Sequence, residues 1–121
     1  MKTSLLLVAH GSRRAASNDE VRRLTEALAE RAGERYHGVS CAFLELAEPS
    51  IPDGVRACLD AGAGEVVVLP FFLSAGRHVA EDIPGEVEKV RAERPEARIR
   101  IAPYLGAADA IPALLLELAG H

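Results

Sequence analysis

The feature that most restricts the fold of this chain is the stretch Val66 to His78, VVVLPFFLSAGRH. Its opening run, VVVLPFF, is continuously apolar and β-branched at the start, which predicts a strand covered on both faces, as in a parallel sheet between helices. The run breaks into Leu73-Ser74-Ala75-Gly76, a small-residue loop that leaves backbone amides uncovered, and Arg77 and His78 follow at once. Leu5 to Val8 repeat the design, an apolar strand ending in Ala9-His10-Gly11-Ser12-Arg13-Arg14. One histidine alone is as often a satisfied core or surface residue as a functional one. Two, each at the exit of a buried strand, point to a site.

Between these segments the periodicity alternates. Ser17-Asn18-Asp19-Glu20 predicts a capped helix start, with Val21, Leu24, Leu28 and Ala32 as its inward stripe and an end near Arg35 to Gly38. His37 there reads as a solvated residue favoured by the helix dipole. Val39 to Leu46 is a second strand with Glu45 near its carboxyl end. Ser50 then caps a helix with Pro52 in its first turn and Ile51, Val55, Cys58 and Leu59 inward; Gly62 and Gly64 end it. Beyond His78, VAEDIP predicts a short helical turn, and Pro84 restarts or kinks a helix running to Arg94. Ile99 and Ile101 alternate with Arg98 and Arg100, an edge strand with one wet side. Pro103-Tyr104-Leu105-Gly106 is its exit loop, and Ala107 to Ala119 is a final alanine- and leucine-rich helix.

The order βαβαβαβα implies a parallel sheet with right-handed crossovers and helices on both faces. The two most apolar strands, first and third, belong in the middle, which gives the order 2-1-3-4 of a flavodoxin-like, three-layer α/β sandwich. In such sheets the ligand crevice lies at the carboxyl ends where strand order reverses, between the two strands that deliver His10 and His78. A length of 121 residues supports one core, so residues 1–121 are read as a single domain. The formal net charge of -4 excludes a global basic field for nucleic acid or membrane. Three Phe, two Tyr and no Trp argue against stacking platforms for bases as well. The N-terminal apolar segment is too short for a signal peptide and no run approaches a membrane span. Cys41 and Cys58 lack CxxC spacing and read as buried structural thiols. A cytoplasmic address is the expectation.

Two imidazoles and a carboxylate, from His10, His78 and Glu45, can hold a divalent first-row ion with coordination positions left open. Glu45 alone would read equally well as a surface or capping carboxylate. Arg13, Arg14 and Arg77 gather at the same rim, as solvated loop charges or as a steering patch for an anionic ligand.

LLLVAHGSR, FLELAEPSI, VVVLPFFLSAGRHVAEDIP and PYLG together resemble the small form of the CbiX/SirB sirohydrochlorin chelatases, which are class II tetrapyrrole chelatases. The resemblance spans nearly the whole chain, and the GRHVAEDIP block is specific. It implies ATP-independent insertion of Co²⁺, Fe²⁺ or Ni²⁺ into sirohydrochlorin, on routes to cobalamin, sirohaem or coenzyme F430, with the metal as substrate and no permanently bound cofactor. It further implies that His10 is metal ligand and acceptor of pyrrole protons, His78 is the second ligand, and Glu45 assists deprotonation or contacts substrate. Leu73, Ser74, Ala75, Gly76, Arg77 and His78 would border the macrocycle. The His-rich tail of some family members is absent, with His121 alone at the terminus. A neutral imidazole can both carry a metal and accept a proton, and the carboxylates of sirohydrochlorin give Arg13 and Arg77 a purpose.

Two other readings compete: phosphoryl transfer with His10 as nucleophile and Arg13 clamping phosphate, and a non-catalytic anion-binding module. The first is weakened by Ala9, since histidine phosphatases carry arginine there; the second leaves two converging histidines unexplained. A homodimer is also expected, because a flat macrocycle is large for one crevice and a C2 pair supplies matching walls. Ile111, Leu114, Leu115 and Leu118 of the final helix would join that interface or pack on the sheet.

Overall fold

The computed structural model describes residues 1–120; His121 lies outside them. Four parallel strands, β1 (Thr3–Ala9), β2 (Gly38–Phe43), β3 (Glu65–Pro70) and β4 (Arg98–Ile101), form one sheet in the order β2-β1-β3-β4. This is the expected 2-1-3-4 topology. The central pair runs in register from Thr3 against Glu65 to Val8 against Pro70. Leu6, Val8, Val66 and Val68 of that pair are completely buried. Burying four such side chains is worth about 6–12 kcal/mol before chain entropy is counted, so the ends of these two strands are held firmly relative to each other.

One face of the sheet packs on α2 (Ile51–Asp60) and α3 (Ile83–Glu93) through Ile51, Val55, Ile83, Val87 and Val90. Ser50 caps α2 as expected, its Oγ accepting from the Asp53 backbone N–H at 3.2 Å, and Cys58 faces the core, where burial pushes its thiol pKa up. Arg56 clamps the two helices together, its guanidinium donating to both carboxylate oxygens of Glu93 at 2.9 and 2.7 Å. Those bonds hold the Glu93 carboxyl below the usual carboxylate range.

The other face carries α1 (Ala15–Ala32), and here the expectations need correction. The helix starts at Ala15, with no side-chain cap, because Asn18 is used differently. Its Oδ1 accepts from the Ser12 N–H at 3.0 Å and its Nδ2 donates to the Ser12 carbonyl at 2.8 Å. A buried amide thus ties the loop after His10 to the helix. The inward stripe is Asn18, Val21, Thr25 and Ala32; Leu24, 41% exposed, and the half-buried Leu28 line an apolar cavity instead. Cys41 is half-buried and Cys58 buried, both unbridged. His37 is exposed and meets the carbonyl of Ala61 at the end of α2, at 2.7 Å, rather than the end of its own helix.

The chain's last helix, α4 (Ile111–Ala119), begins four residues later than expected, after a 3₁₀ turn over Leu105–Ala107. It does not pack on the sheet: Leu114, Leu115 and Leu118 are 47%, 61% and 77% exposed. Among the described residues no helix is long and apolar enough to cross a membrane.

Candidate active site

The two central strand exits converge as the topology requires, and close backbone packing fixes how. Strand β2 ends at Phe43, three residues before the expected boundary, yet its pairing continues: Leu44 N–H donates to Ala9 O at 2.9 Å and Glu45 N–H to His10 O at 3.0 Å. Gly11 makes this approach possible. Its φ is +94°, and a Cβ there would stand 1.7 Å from the Glu45 carbonyl oxygen, so only a residue without a side chain fits. The result is a side-chain pair, His10 Nε2 to Glu45 Oε2, at 3.2 Å. The other ring nitrogen, Nδ1, lies 3.0 Å from the Gly11 carbonyl. A carbonyl and a carboxylate both only accept, so in the neutral ring the proton sits on the nitrogen facing one of them, and the imidazolium donates to both.

His78 arrives from the other exit. A π-helical turn over His78–Asp82 leads straight into α3, so Pro84 falls in the first turn of α3 and restarts the helix. Within that turn His78 Nδ1 donates to Asp82 Oδ2 at 2.8 Å, which leaves Nε2 of His78 as a free lone pair. The rings of His10 and His78 meet edge to face with centroids 4.7 Å apart, and Phe72 flanks His78 at 6.4 Å. Asp82 is the residue that sequence reasoning missed. Its signal was present as a His-to-Asp spacing of four inside a segment already expected to form a helical turn.

The loop between them is braced from behind. Gly106 N–H donates to Phe72 O at 3.0 Å, and a Cβ at Gly106 would lie 1.9 Å from the Leu73 carbonyl oxygen. Leu73, Ser74, Ala75, Gly76 and Arg77 are exposed, with Leu73 at 74%, and Gly76 faces open space. Arg77 is not a bare rim cation: its guanidinium lies 3.3 Å from Glu81. Arg13 is exposed on the loop that Asn18 anchors.

Histidine pair and carboxylate are therefore neighbours, but the open three-ligand set expected from the sequence is not preformed. Among the described residues no group of three His, Cys, Asp or Glu side chains is arranged to hold a metal ion. The physical reason is pairing: Glu45 is turned onto His10 and Asp82 onto His78. His10 and His78 could share an ion through their Nε2 atoms. An apolar cavity of about 660 Å³ lies elsewhere, between α1 and the ends of β3 and β4, lined by Leu7, Leu24, Leu28, Leu69, Phe71 and Tyr104 and by none of the site residues.

A four-stranded parallel sheet in the order β2-β1-β3-β4 is the fold this chain shares with solved chelatases. The chain superposes on the sirohydrochlorin chelatase SirB from Bacillus subtilis subspecies spizizenii, solved in complex with cobalt, with a TM-score of 0.85 and 29% identity over 99% of this chain and 51% of that one. It superposes on a cobalamin (vitamin B12) biosynthesis CbiX protein from Marinobacter aquaeolei VT8 with a TM-score of 0.79 and 31% identity, over 98% of this chain and 94% of that one. The CbiX family model matches residues 4–120, and the chain belongs to the CbiX family. Among curated relatives, the sirohydrochlorin ferrochelatase of Bacillus subtilis is 34% identical over 106 residues, covering 88% of this chain and 40% of the relative. The chain spans about half the length, or less, of the first curated relatives it matches.

Two glycine variants separate the two kinds of close approach. Gly11→Ala should lower the unfolding midpoint and break the His10–Glu45 contact, seen in the imidazole ¹⁵N spectrum, because the methyl collides with main chain at positive φ. Gly76→Ala, with open space at that position, should leave the unfolding free energy within about 0.5 kcal/mol of wild type. Equal effects from both would contradict the geometry described.

Proposed function

We propose that this protein inserts a divalent metal, Co²⁺ or Fe²⁺, into sirohydrochlorin, with His10 and His78 handing the ion to the macrocycle. The observation that carries this reading is the edge-to-face histidine pair at 4.7 Å, His10 beside the Glu45 carboxylate and His78 with its Nδ1 tied to Asp82 and its Nε2 turned away from it. Relatives named sirohydrochlorin ferrochelatase and cobaltochelatase support the substrate.

Insertion removes two N–H protons from the ring as the ion takes up the ring nitrogens. Once its Nε2 has released the ion to the ring nitrogens, His10 accepts one pyrrole proton there, and the resulting imidazolium is stabilised by Glu45 at 3.2 Å. Passing that proton on to the carboxylate restores the neutral imidazole for the second. Two imidazoles form a labile set that gives the ion up to four ring nitrogens. Asp82 fixes the His78 ring so that Nε2 faces outward. The exposed Leu73–Gly76 loop offers a surface for the macrocycle, and Arg13 attracts its carboxylates. The same pairing disfavours phosphoryl transfer by His10, whose nucleophilic nitrogen would have to attack from beside a carboxylate. Unbridged Cys41 and Cys58 fit a reducing cytoplasm. A second copy of the chain completes the cleft in this reading; SirB, of which this chain covers 51%, carries about as much protein again in one polypeptide.

The test is the absorbance change of sirohydrochlorin on addition of Co²⁺ or Fe²⁺ and protein. His10→Ala should reduce the rate about 100- to 10,000-fold, the usual cost of a lost general base, and no excess of metal should restore it. His78→Ala should lose activity that rising metal concentration partly recovers. A His10→Ala protein with near-normal insertion would overturn the proposal.

Asp82→Asn should raise the metal concentration needed for half-maximal rate about 10- to 100-fold, the usual effect of losing a carboxylate behind a metal-bound histidine. An unchanged metal dependence would remove Asp82 from the site.

A further inference from the structure

We infer that Arg22 is a positioning residue for the chelation site: its guanidinium pins the loop that carries Glu45 and so keeps the Glu45 carboxylate against His10. The loop over residues 44–49 leaves β2 and returns to the start of α2. Its first two residues are held by the exit of β1, with Leu44 N–H on Ala9 O and Glu45 N–H on His10 O. Its base is closed by Phe43 N–H, which donates to Pro49 O at 2.8 Å. Directly after Glu45 the chain turns at Leu46 with a φ of +65°, a conformation that a bulky residue keeps only where its surroundings impose it. The Leu46 side chain is 53% exposed, so it supplies little of that hold itself. The hold comes from the return leg of the loop.

Arg22 fixes that leg from α1. Its Nη2 donates to the Glu48 carbonyl at 3.2 Å and its Nη1 to Asp19 Oδ1 at 2.9 Å. The guanidinium also lies over the Phe43 ring, 5.2 Å from the centroid. Phe43 is completely buried, so the cation rests on a firm part of the core. Three contacts on one planar fork set its orientation in a way that a lysine ammonium does not reproduce. Asn18, one helical turn earlier, ties down the loop after His10. Residues four apart share a face of a helix, so one face of α1 holds both loops and with them the 3.2 Å contact between His10 and Glu45. Ala47 packs against the cluster that contains Phe43 and supports the same loop from inside. A different use for Arg22, attraction of the substrate's carboxylates, is disfavoured because the guanidinium is already engaged by Asp19 and the Glu48 carbonyl. The positioning stands on geometry alone, whereas its effect on rate rests on the metal insertion proposed above.

Arg22→Met tests the inference, since it keeps an apolar stem over Phe43 and removes the donors. It is compared with Glu45→Gln, with both changes together, and with Arg23→Met, which alters an exposed arginine of the same helix. Arg22→Met should lower kcat for Co²⁺ insertion into sirohydrochlorin about tenfold, within what a small misplacement near the reacting atoms costs, and leave KM for sirohydrochlorin within about twofold of wild type. Arg23→Met should change neither. In the Glu45→Gln background Arg22→Met should cost nothing further, because two residues that act through one group are not additive. Without substrate, the imidazole ¹⁵N spectrum of His10 should change in Arg22→Met as it does in Glu45→Gln. A further loss of the same size in the double variant would overturn the inference, and so would a raised KM with kcat unchanged, the mark of a steering cation. An Arg22→Met spectrum identical to wild type would overturn it as well. If the wild-type protein inserts no metal, the ¹⁵N comparison still decides the positioning, and the chelatase reading falls separately.

Discussion

The site depends on the in-register parallel pairing of β1 with β3, Thr3 against Glu65 through Val8 against Pro70. Because these two strands are neighbours, share a direction and end together, whatever residues follow them are neighbours as well. Phe71 N–H continues the ladder to Val8 O at 2.8 Å, and only then do the two chains part. The buried residues of both strands hold this arrangement with far more free energy than a few surface contacts could supply. His10 and His78 are thus delivered to one rim by the core itself.

What the core does not set is the state of the two rings, and each is set differently. His10 is governed by main chain: Gly11 lets the Glu45 backbone come close enough for one ring nitrogen to meet a carbonyl and the other a carboxylate. His78 is governed by Asp82 one helical turn away. In the proposed mechanism the ring beside a carboxylate passes on a proton, and the ring held from behind with its outer nitrogen bare carries the ion. The asymmetry of roles in the proposed mechanism follows from this asymmetry of partners.

The sheet was legible in the sequence because continuous apolar runs have few other uses at this length, and strand order follows from which runs are most apolar. His10, Glu45 and His78 were legible as strand-exit residues for the same reason. The pairing of Glu45 with His10 was not, since it depends on Gly11 sitting at positive φ against another loop, a contact with no local signature. Asp82 could have been found from its spacing to His78. The capped helix start read at Ser17 to Glu20 does not form, since α1 begins at Ala15 and tertiary packing turns the Asn18 amide towards Ser12. The stripe of α1 was misplaced by two leucines that face a cavity rather than the core, and of the two readings offered for the apolar α4, packing on the sheet is the one the exposed Leu114, Leu115 and Leu118 do not bear out.

The most direct test of the central claim, that two strand exits build one metal-delivering rim, is a crystal structure of the protein with sirohydrochlorin and Co²⁺. The expected density places the ion within bonding distance of Nε2 of both His10 and His78, with the macrocycle across Leu73 to Gly76. A macrocycle seated in the apolar cavity between α1 and the ends of β3 and β4, with the ion away from both histidines, would contradict it.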